Sequence, residues 1–301
     1  MTTIVGDPKR LGGVDEEIGG IGLDPAACQG DVCMKLSYGN LLKHAERRMG
    51  TRRGAEIYYG LVFRFVARLG VSCFNYGYAE ISEQRTPNET GDEPFQLELY
   101  RQTALAAGEN RLAGALVLEV SCGLGGGLAH VVKTFSPRLA IGTDLVATAV
   151  ARARQRFGLV IVQADATDLR LPNETFDVVL SVEASHAYFG DAYLAEIARV
   201  LRRDGRFVLT DNRLMSPQTA RAWLTEALAP HGLALVDFRD ITTNVKRSCE
   251  LDTPRRERLL AKLPLPMRSP LRAMIGGTST TAYANMRDGR TCYFIATAEK
   301  A

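Results

Sequence analysis

The sequence lacks long hydrophobic runs and a strong net charge, and each absence excludes a class of protein. No stretch approaches the run of about 18 apolar residues that a membrane-spanning helix needs. The formal net charge of 301 residues is only +3, too small to favour nucleic acid or an anionic surface as a partner. The hydrophobic fraction of 46% is ordinary for a globular chain with a sizeable core. We therefore expect no membrane span and no nucleic-acid partner.

Cysteine and histidine are also scarce, with six and four copies. The cysteines have no CxxC spacing, and the loose pair Cys28 and Cys33 has no histidine cluster nearby. Zinc sites normally need such closely spaced ligands. The first 14 residues lack the apolar core and cleavage site of a secretory signal. We predict no metal, reduced thiols and a cytoplasmic location.

The most informative stretch is 116–127, where apolar residues around Glu119 end in a glycine-rich turn. An amphipathic segment, 128–135, follows at once, so the order predicts a buried strand, a tight loop and a helix. Because glycine has no Cβ, such a loop lets the backbone approach a ligand closely. It also directs the N–H groups of the helix N-terminus at that ligand.

A second apolar strand, 139–143, ends on Asp144, which lies 21 residues after Gly123. A carboxylate at this spacing can accept both ribose hydroxyls of a nucleotide-like cofactor. Further apolar strands are predicted at 159–163, 176–182, 206–210, 233–238 and 291–297, and helices at 146–157, 192–201 and 216–229. The alternation predicts a Rossmann-like α/β fold with a seven-stranded, mostly parallel sheet and helices on both faces. We expect the last strand to be antiparallel, because no crossover helix directly precedes it.

The predicted organisation has four parts. Residues 1–34 form a flexible arm, 35–94 an N-terminal helical or cap segment, 95–240 the cofactor-binding core, and 241–301 a cap insertion with the final strand. In the second part, Gly54 is expected to break the helical pattern, and Ile57, Leu61, Phe65 and Leu69 to form one buried face. In the fourth, only one short helix is predicted, near Leu259. A cap would cover the carboxyl ends of the strands, where open α/β sheets bind ligands.

The glycine loop alone is a weak signal, since a dinucleotide site or a structural turn would also use it. Three acidic residues sharpen the choice. Glu119 lies inside a strand, where a carboxylate is costly unless it is paired, for instance with the ammonium of a methionine moiety. Asp144 follows as the ribose acceptor. Asp165 ends the third strand beside Ala166, where it can accept from an adenine amino group.

With these motifs, residues 95–210 resemble the class I S-adenosylmethionine-dependent methyltransferases. The resemblance is greatest to the small-molecule branch of sterol, ubiquinone-pathway, phthiotriolone-type and natural-product enzymes. Tyr76-Gly77-Tyr78 resembles their aromatic-glycine-aromatic element, and the stretch from Ser185 to Tyr188 resembles their Ser-His-x-Tyr motif. The chain departs from many members at Ser121, where they have glycine. The resemblance implies S-adenosylmethionine as cofactor, with a binding set that we complete with Glu183: Glu119, Ser121, Gly123, Gly125, Asp144, Leu145, Asp165, Ala166 and Glu183.

The candidate catalytic residue is His186, because imidazole titrates near neutral pH and this one follows the fourth strand. A base is needed only where the acceptor must lose a proton. We expect Tyr76, Tyr78, Tyr188 and Asp211 to contact the substrate. The resulting prediction is a methyltransferase for a secondary metabolite or lipid-like acceptor, with oxygen the first choice of methylated atom and carbon the second.

Two alternatives stay open at this point. An NAD(P)-dependent oxidoreductase would normally show a Tyr-x-x-x-Lys pair, but Ala192 stands four residues after Tyr188. A non-catalytic binding protein would have no need to keep the three acidic residues. The N-terminal segment is a candidate for homo-oligomer formation.

Overall fold

The computed structural model describes residues 52–84, 93–108 and 110–301. The predicted arm of 1–34 and the part of the helical segment before residue 52 lie outside the described residues. No helix in the described ranges is long and apolar enough to cross a membrane.

The core of the fold is one seven-stranded sheet with the order β3-β2-β1-β4-β5-β7-β6. Strands β1 to β5 pair in parallel, whereas β7 is antiparallel to both β5 and β6. This confirms the predicted mostly parallel sheet and the antiparallel last strand. The strands are β1 Leu116–Val120, β2 Leu139–Asp144, β3 Val160–Gln163, β4 Phe176–Val182, β5 Leu201–Arg213, β6 Leu233–Asp240 and β7 Cys292–Lys300.

Helices cover both faces of this sheet. One face packs against α2 (Pro94–Ala106), α3 (Gly126–Phe135) and α4 (Ala147–Phe157), and the other against α5 (Asp191–Val200) and α6 (Pro217–Leu228). The Ser216 hydroxyl caps α6 by accepting the Thr219 N–H at 3.2 Å, as its position before Pro217 predicts. The prediction for α5 was wrong at its end. The helix stops at Val200, because Leu201 is already extended and pairs with Phe176.

A second group of helices lies outside this sandwich: α1 (Arg52–Val66), α7 (Thr242–Ala261), α8 (Leu265–Met274) and α9 (Thr281–Arg287). Gly54 does not break α1 but lies buried within it. Of the predicted apolar face, Leu61, Phe65 and Leu69 pack partly buried against the core, whereas Ile57 is 40% exposed. The residues that α1 buries are Gly54, Tyr58, Val62, Phe63 and Val66.

The helix α7 is far longer than the single short helix predicted there, at 20 residues with Pro254 inside it. Its buried face is rich in polar residues, including Ser248, Asp252, Arg255 and Arg256. Asp252 forms ion pairs with both arginines, at 2.6 Å and 2.7 Å. Because polar and charged residues share this buried face with apolar ones, the 3.6-residue hydrophobic period is weakened in the sequence.

Candidate functional site

The candidate site lies at the carboxyl ends of β1, β2, β3 and β4. The chain leaves β1 toward β2 on one side, while β4 lies on the other side of β1, so the strand order reverses there. Ligands of open α/β sheets bind at such a reversal.

The loop between β1 and α3 requires its glycines for two reasons. Gly123 and Gly125 have φ of 55° and 80°, in the left-handed region that favours glycine. At Gly127 a Cβ would lie 1.9 Å from Cζ of Tyr100, so the ring of α2 packs directly against the start of α3. The loop is therefore fixed by the Tyr100 ring as well as by its own backbone.

Ser121 stands in the same loop with φ of 60°, a strained value for a residue with a side chain. Its Oγ accepts a hydrogen bond of 2.8 Å from the Tyr188 hydroxyl. Tyr188 was expected to contact the substrate, but the structure uses its hydroxyl to join the segment after β4 to the glycine loop. The bond helps to hold Ser121 in this strained conformation.

Asp144 ends β2 and lies under the same loop. Its Oδ2 accepts the Gly123 N–H at 2.8 Å and its Oδ1 accepts the Val146 N–H at 2.9 Å. Burial raises the pKa of this carboxyl to about 6, against the effect of the two N–H groups. The backbone of the adjacent Leu145 is fixed by Gln163, whose Nε2 donates to its carbonyl at 3.1 Å.

Glu119 is 1% exposed and lies beneath the glycine loop. The Tyr100 hydroxyl donates to its Oε1 at 2.7 Å, while its Oε2 has no hydrogen-bond partner in the part of the chain that the structure describes. Burial raises the pKa of Glu119 to about 8, with a further upward contribution from Asp144. A buried acceptor without a partner fits a ligand that carries an ammonium group.

Asp165 follows β3, the next strand beyond Asp144. Its Oδ1 accepts the backbone N–H and the hydroxyl of Thr167, at 2.9 Å and 2.7 Å. Its Oδ2 lies 3.5 Å from Nε of Arg52, at the beginning of α1. Ala166 is buried beside it. The three acidic residues thus lie at or near the carboxyl ends of three adjacent strands, and Asp144 is close enough to Glu119 to raise its pKa further.

Helix α1 contributes residues that the sequence patterns did not indicate. Phe63 lies over the glycine loop, with Cζ 3.6 Å from where a Cβ of Gly123 would be. The pKa of the Tyr59 phenol is raised by burial and then by the charges of Asp144 and Asp211. Tyr59 therefore lies between the two acidic groups. Since Arg52 reaches Asp165, α1 runs along the site from one end to the other.

Glu183 was predicted to bind the cofactor, but in the structure its neighbours are Tyr76, Tyr293 and His186. Its Oε1 accepts the Tyr76 N–H at 2.7 Å. Burial raises its pKa to about 7, and the charges that act on it are those of Asp211 and His186. The Tyr293 phenol of β7 is a further neighbour. Glu183 thus belongs to the His186 side of the site, away from Glu119.

The candidate base His186 follows β4 in a short 3-10 turn, Ser185–Ala187. Its Nδ1 lies 3.5 Å from Oδ1 of Asp211, and its side chain is 48% exposed. Asp211 is completely buried, and its Oδ2 accepts the Ser185 hydroxyl at 2.5 Å. Asp211 was expected to contact the substrate, but the structure places its carboxylate behind His186, where Ser185 and His186 enclose it. The contact with Asp211 raises the pKa of His186, although burial opposes it.

Tyr76 and Tyr78, both predicted to contact the substrate, lie in different surroundings. Tyr76 lies at the site, between Glu183 and the ring of Tyr293, whose centroid is 6.2 Å away. Tyr78 is only 7% exposed and packs into the sheet core. The charges that act on its phenol belong to surface residues led by Glu80 and Arg239, not to any carboxylate of the site. Gly77 between the two tyrosines has φ of 80°, so the segment is not regularly extended there and the two side chains need not share a face. The structure thus places Tyr78 apart from Tyr76, and its contact with the substrate stays a prediction.

A cavity of about 220 Å³ adjoins Tyr76 and Tyr293. Its wall combines hydrogen-bonding groups with apolar ones and is formed by Tyr76, Asn212, Leu214, Ala282, Asn285, Met286, Thr291 and Tyr293. Leu214 is 72% exposed. The cavity therefore combines an apolar residue that faces solvent with polar residues such as Asn212 and Asn285.

Comparison with known proteins identifies a matching family and several relatives of this chain. Residues 118–209 match a family described as a methyltransferase domain. The chain is 39% identical to the probable phthiotriol/phenolphthiotriol dimycocerosates methyltransferase 2 of Mycobacterium ulcerans, over 75% of this chain and 88% of that protein. It is 34% identical to a fatty-acid O-methyltransferase of Mycolicibacterium smegmatis, over 86% of this chain and 96% of the relative.

Among solved structures, geranyl diphosphate C-methyltransferase from Streptomyces coelicolor A3(2), in complex with Mg2+, geranyl diphosphate and S-adenosyl-L-homocysteine, has a similar fold. The TM-score is 0.62 at 16% identity, and the match covers 83% of this chain and 97% of that one.

Proposed function

This chain belongs to the small-molecule branch of the class I S-adenosylmethionine-dependent methyltransferases, and we propose that it methylates a hydroxyl group on a lipid-like acceptor. S-adenosylmethionine is the cofactor and supplies an activated methyl group on a positively charged sulfur. An NAD(P)-dependent oxidoreductase is not favoured, because the relatives that cover most of the chain are methyltransferases.

The cofactor would lie along the acidic residues at the ends of the first three strands. We assign Glu119 to the ammonium, because its buried Oε2 has no partner within the described residues. Asp144 would accept the ribose hydroxyls with the lone pairs that Gly123 and Val146 leave free. Asp165 would accept from the adenine amino group. Ser121, Gly123, Gly125, Leu145 and Ala166 would line the same track.

The observation that carries the choice of a hydroxyl is the pairing of His186 with the buried Asp211 at 3.5 Å. A buried carboxylate orients the imidazole and stabilises the imidazolium that forms when His186 takes a proton from the acceptor. An aliphatic or phenolic hydroxyl needs such a base as it becomes a nucleophile. A carboxylic acid does not, since it is already ionised at neutral pH.

Electrostatics give no support to an anionic acceptor. The charges that act on His186 are those of two carboxylates, Asp211 and Glu183, and of one cation, Arg213, so they provide no excess of positive charge to attract an anion. The cavity beside Tyr76 instead offers amide, hydroxyl and phenol groups together with the exposed side chain of Leu214. This arrangement suits a molecule with a hydroxyl at one end and an apolar remainder. The relative named for fatty acids supports only the apolar remainder.

The test is methyl transfer to acceptors that differ in one group. Purified protein is incubated with S-adenosylmethionine carrying a deuterated methyl group and with a long-chain secondary alcohol, the fatty acid of equal length, or an isoprenoid alkene without a hydroxyl. Mass spectrometry and fragmentation then locate the label. We expect a methyl ether from the alcohol, and His186→Gln should lower its formation by about 10²- to 10⁴-fold. A methyl ester or a C-methylated alkene as the sole product would refute the hydroxyl proposal.

We further propose that α1, α7, α8 and α9 form the acceptor-side cap, and that the protein is cytoplasmic and oligomeric. The cytoplasm is supported by Cys73, Cys122, Cys249 and Cys292, all buried and free. Light scattering coupled to size-exclusion chromatography, with and without residues 1–51, tests the role of the N-terminal segment in oligomerisation.

A further inference from the structure

Arg213 reaches the His186 site from the end of β5, and the site motifs do not account for it. Its Nη1 lies 3.2 Å from Oδ2 of Asp211, the oxygen that His186 does not contact. Its Nη2 donates to the Ser185 hydroxyl at 3.2 Å, and that hydroxyl donates to the same Asp211 oxygen. One buried carboxylate is therefore shared between a guanidinium and an imidazole.

Two aromatic rings hold the guanidinium in place. Its central carbon lies 5.2 Å from the ring centroid of Phe189 and 5.0 Å from that of Trp223. The rings themselves are 4.6 Å apart, and the Arg213 side chain is only 13% exposed. An arginine in this setting loses little conformational freedom when it binds the carboxylate. An exposed surface ion pair has no such packing of aromatic rings against its guanidinium.

We propose that Arg213 is a positioning residue that holds the Asp211 carboxylate toward His186 and, as a competing cation, keeps the imidazole deprotonated enough to act as a base. Through Oδ2 and the Ser185 hydroxyl, Arg213 fixes the orientation of the carboxylate. Its positive charge also opposes a second positive charge on His186. The inference rests on the proposed role of His186 as the base.

The charged groups that act on His186 come from two strands. Asp211 and Arg213 are on β5, and Glu183 follows β4. The two carboxylates favour the imidazolium, and Arg213 is the group among them that opposes it. The remaining titratable neighbours of Asp211 are phenols whose pKa values are raised, so they are neutral at physiological pH: Tyr59, Tyr188, Tyr193 and Tyr293. Without Arg213, only the two carboxylates would act on the imidazole, and both favour its protonated form.

The test is an NMR titration of the histidines in the full-length protein, without any acceptor, in selectively labelled samples from pH 5 to 9. The chain has four histidines, and His186→Gln identifies the signal of His186. We expect Arg213→Met and Arg213→Gln each to raise the pKa of His186 by about half a unit or more. Arg213→Lys, which keeps the charge, should return it toward the wild-type value.

The matched control is Arg206→Met, which removes one positive charge from the same strand but breaks an ion pair with Glu299 at 3.0 Å. It should leave the His186 signal unchanged. An unchanged or lower pKa in both neutral Arg213 variants overturns the proposal, as does an equal rise in the lysine variant or in the Arg206 control. Because the titration needs no acceptor, a wrong acceptor class would not affect it.

Discussion

The Asp144 carboxylate accepts the backbone N–H of Gly123 at 2.8 Å, so the end of β2 is joined directly to the glycine loop that follows β1. A single side chain thereby fixes the loop and presents a negative charge to the cofactor. Loss of that charge should affect cofactor binding before it affects the fold.

We expect Asp144→Asn to weaken S-adenosylmethionine binding by about 10- to 100-fold, because hydrogen bonds to a charged acceptor contribute about 1.5–3 kcal/mol. Isothermal titration calorimetry measures the change, and Asp237→Asn, an exposed position on β6, is the control. An unaltered Kd in the Asp144 variant would contradict the ribose assignment.

Stability should depend on pH through Glu119. Burial raises its pKa from 4.5 to about 8, so the folded state binds the proton more tightly than the unfolded state. Its contribution is complete below about pH 4.5 and is lost as the pH rises through 8, at roughly 1.4 kcal/mol per pH unit in between. Asp144 and Glu183, whose pKa values are also raised, act in the same direction.

Glu119→Gln, which mimics the protonated acid, should therefore match the wild type at pH 5 and exceed its free energy of unfolding at pH 8 by a few kcal/mol. Urea denaturation of the cofactor-free protein at several pH values measures this. Glu226→Gln on the exposed face of α6 should leave the profile unaltered. Parallel profiles for wild type and Glu119→Gln would show that Glu119 is ionised throughout.

His186→Gln should reduce kcat by about 10²- to 10⁴-fold, the usual contribution of a general base, and leave the Kd for S-adenosylmethionine nearly unchanged. In the wild type, kcat should rise as the pH passes the pKa of His186, which its contact with Asp211 raises above 6.5. In His186→Gln this rise of kcat with pH should be absent. His130→Gln, on α3, serves as the control, and normal turnover in the His186 variant would exclude a base role.

Gly127→Ala should destabilise the fold by about 1–3 kcal/mol or more, because its Cβ would overlap the Tyr100 ring. A displaced ring would also lose its hydrogen bond to Glu119. Gly190→Ala introduces the same methyl group where nothing lies within 4 Å, and it should be nearly neutral. Thermal unfolding of both variants provides the comparison, and equal Tm values would contradict the close packing.

The sheet and its acidic residues were accessible from sequence because they depend on local patterns. Each apolar strand carries its own acidic residue or glycine loop at its end, so Glu119, Asp144 and Asp165 could be placed without tertiary information. The approach of Tyr59 and Phe63 could not, because nothing in their spacing distinguishes a face against the site from a face against the core. Asp211 was placed toward the substrate because its backward orientation depends on Arg213 and Ser185, which the sequence does not show to be neighbours.

The position of β7 between β5 and β6 has a consequence for synthesis of the protein. Strand β5 carries Asp211 and Arg213, and their pairing partners on β7 are Phe294 and Cys292. In chain order β7 follows β5 only after β6 and several helices, so this edge of β5 stays open until those segments have been made. The acid that supports His186 gains its β7 neighbour only when the sheet closes, and assembly of the base waits for that step.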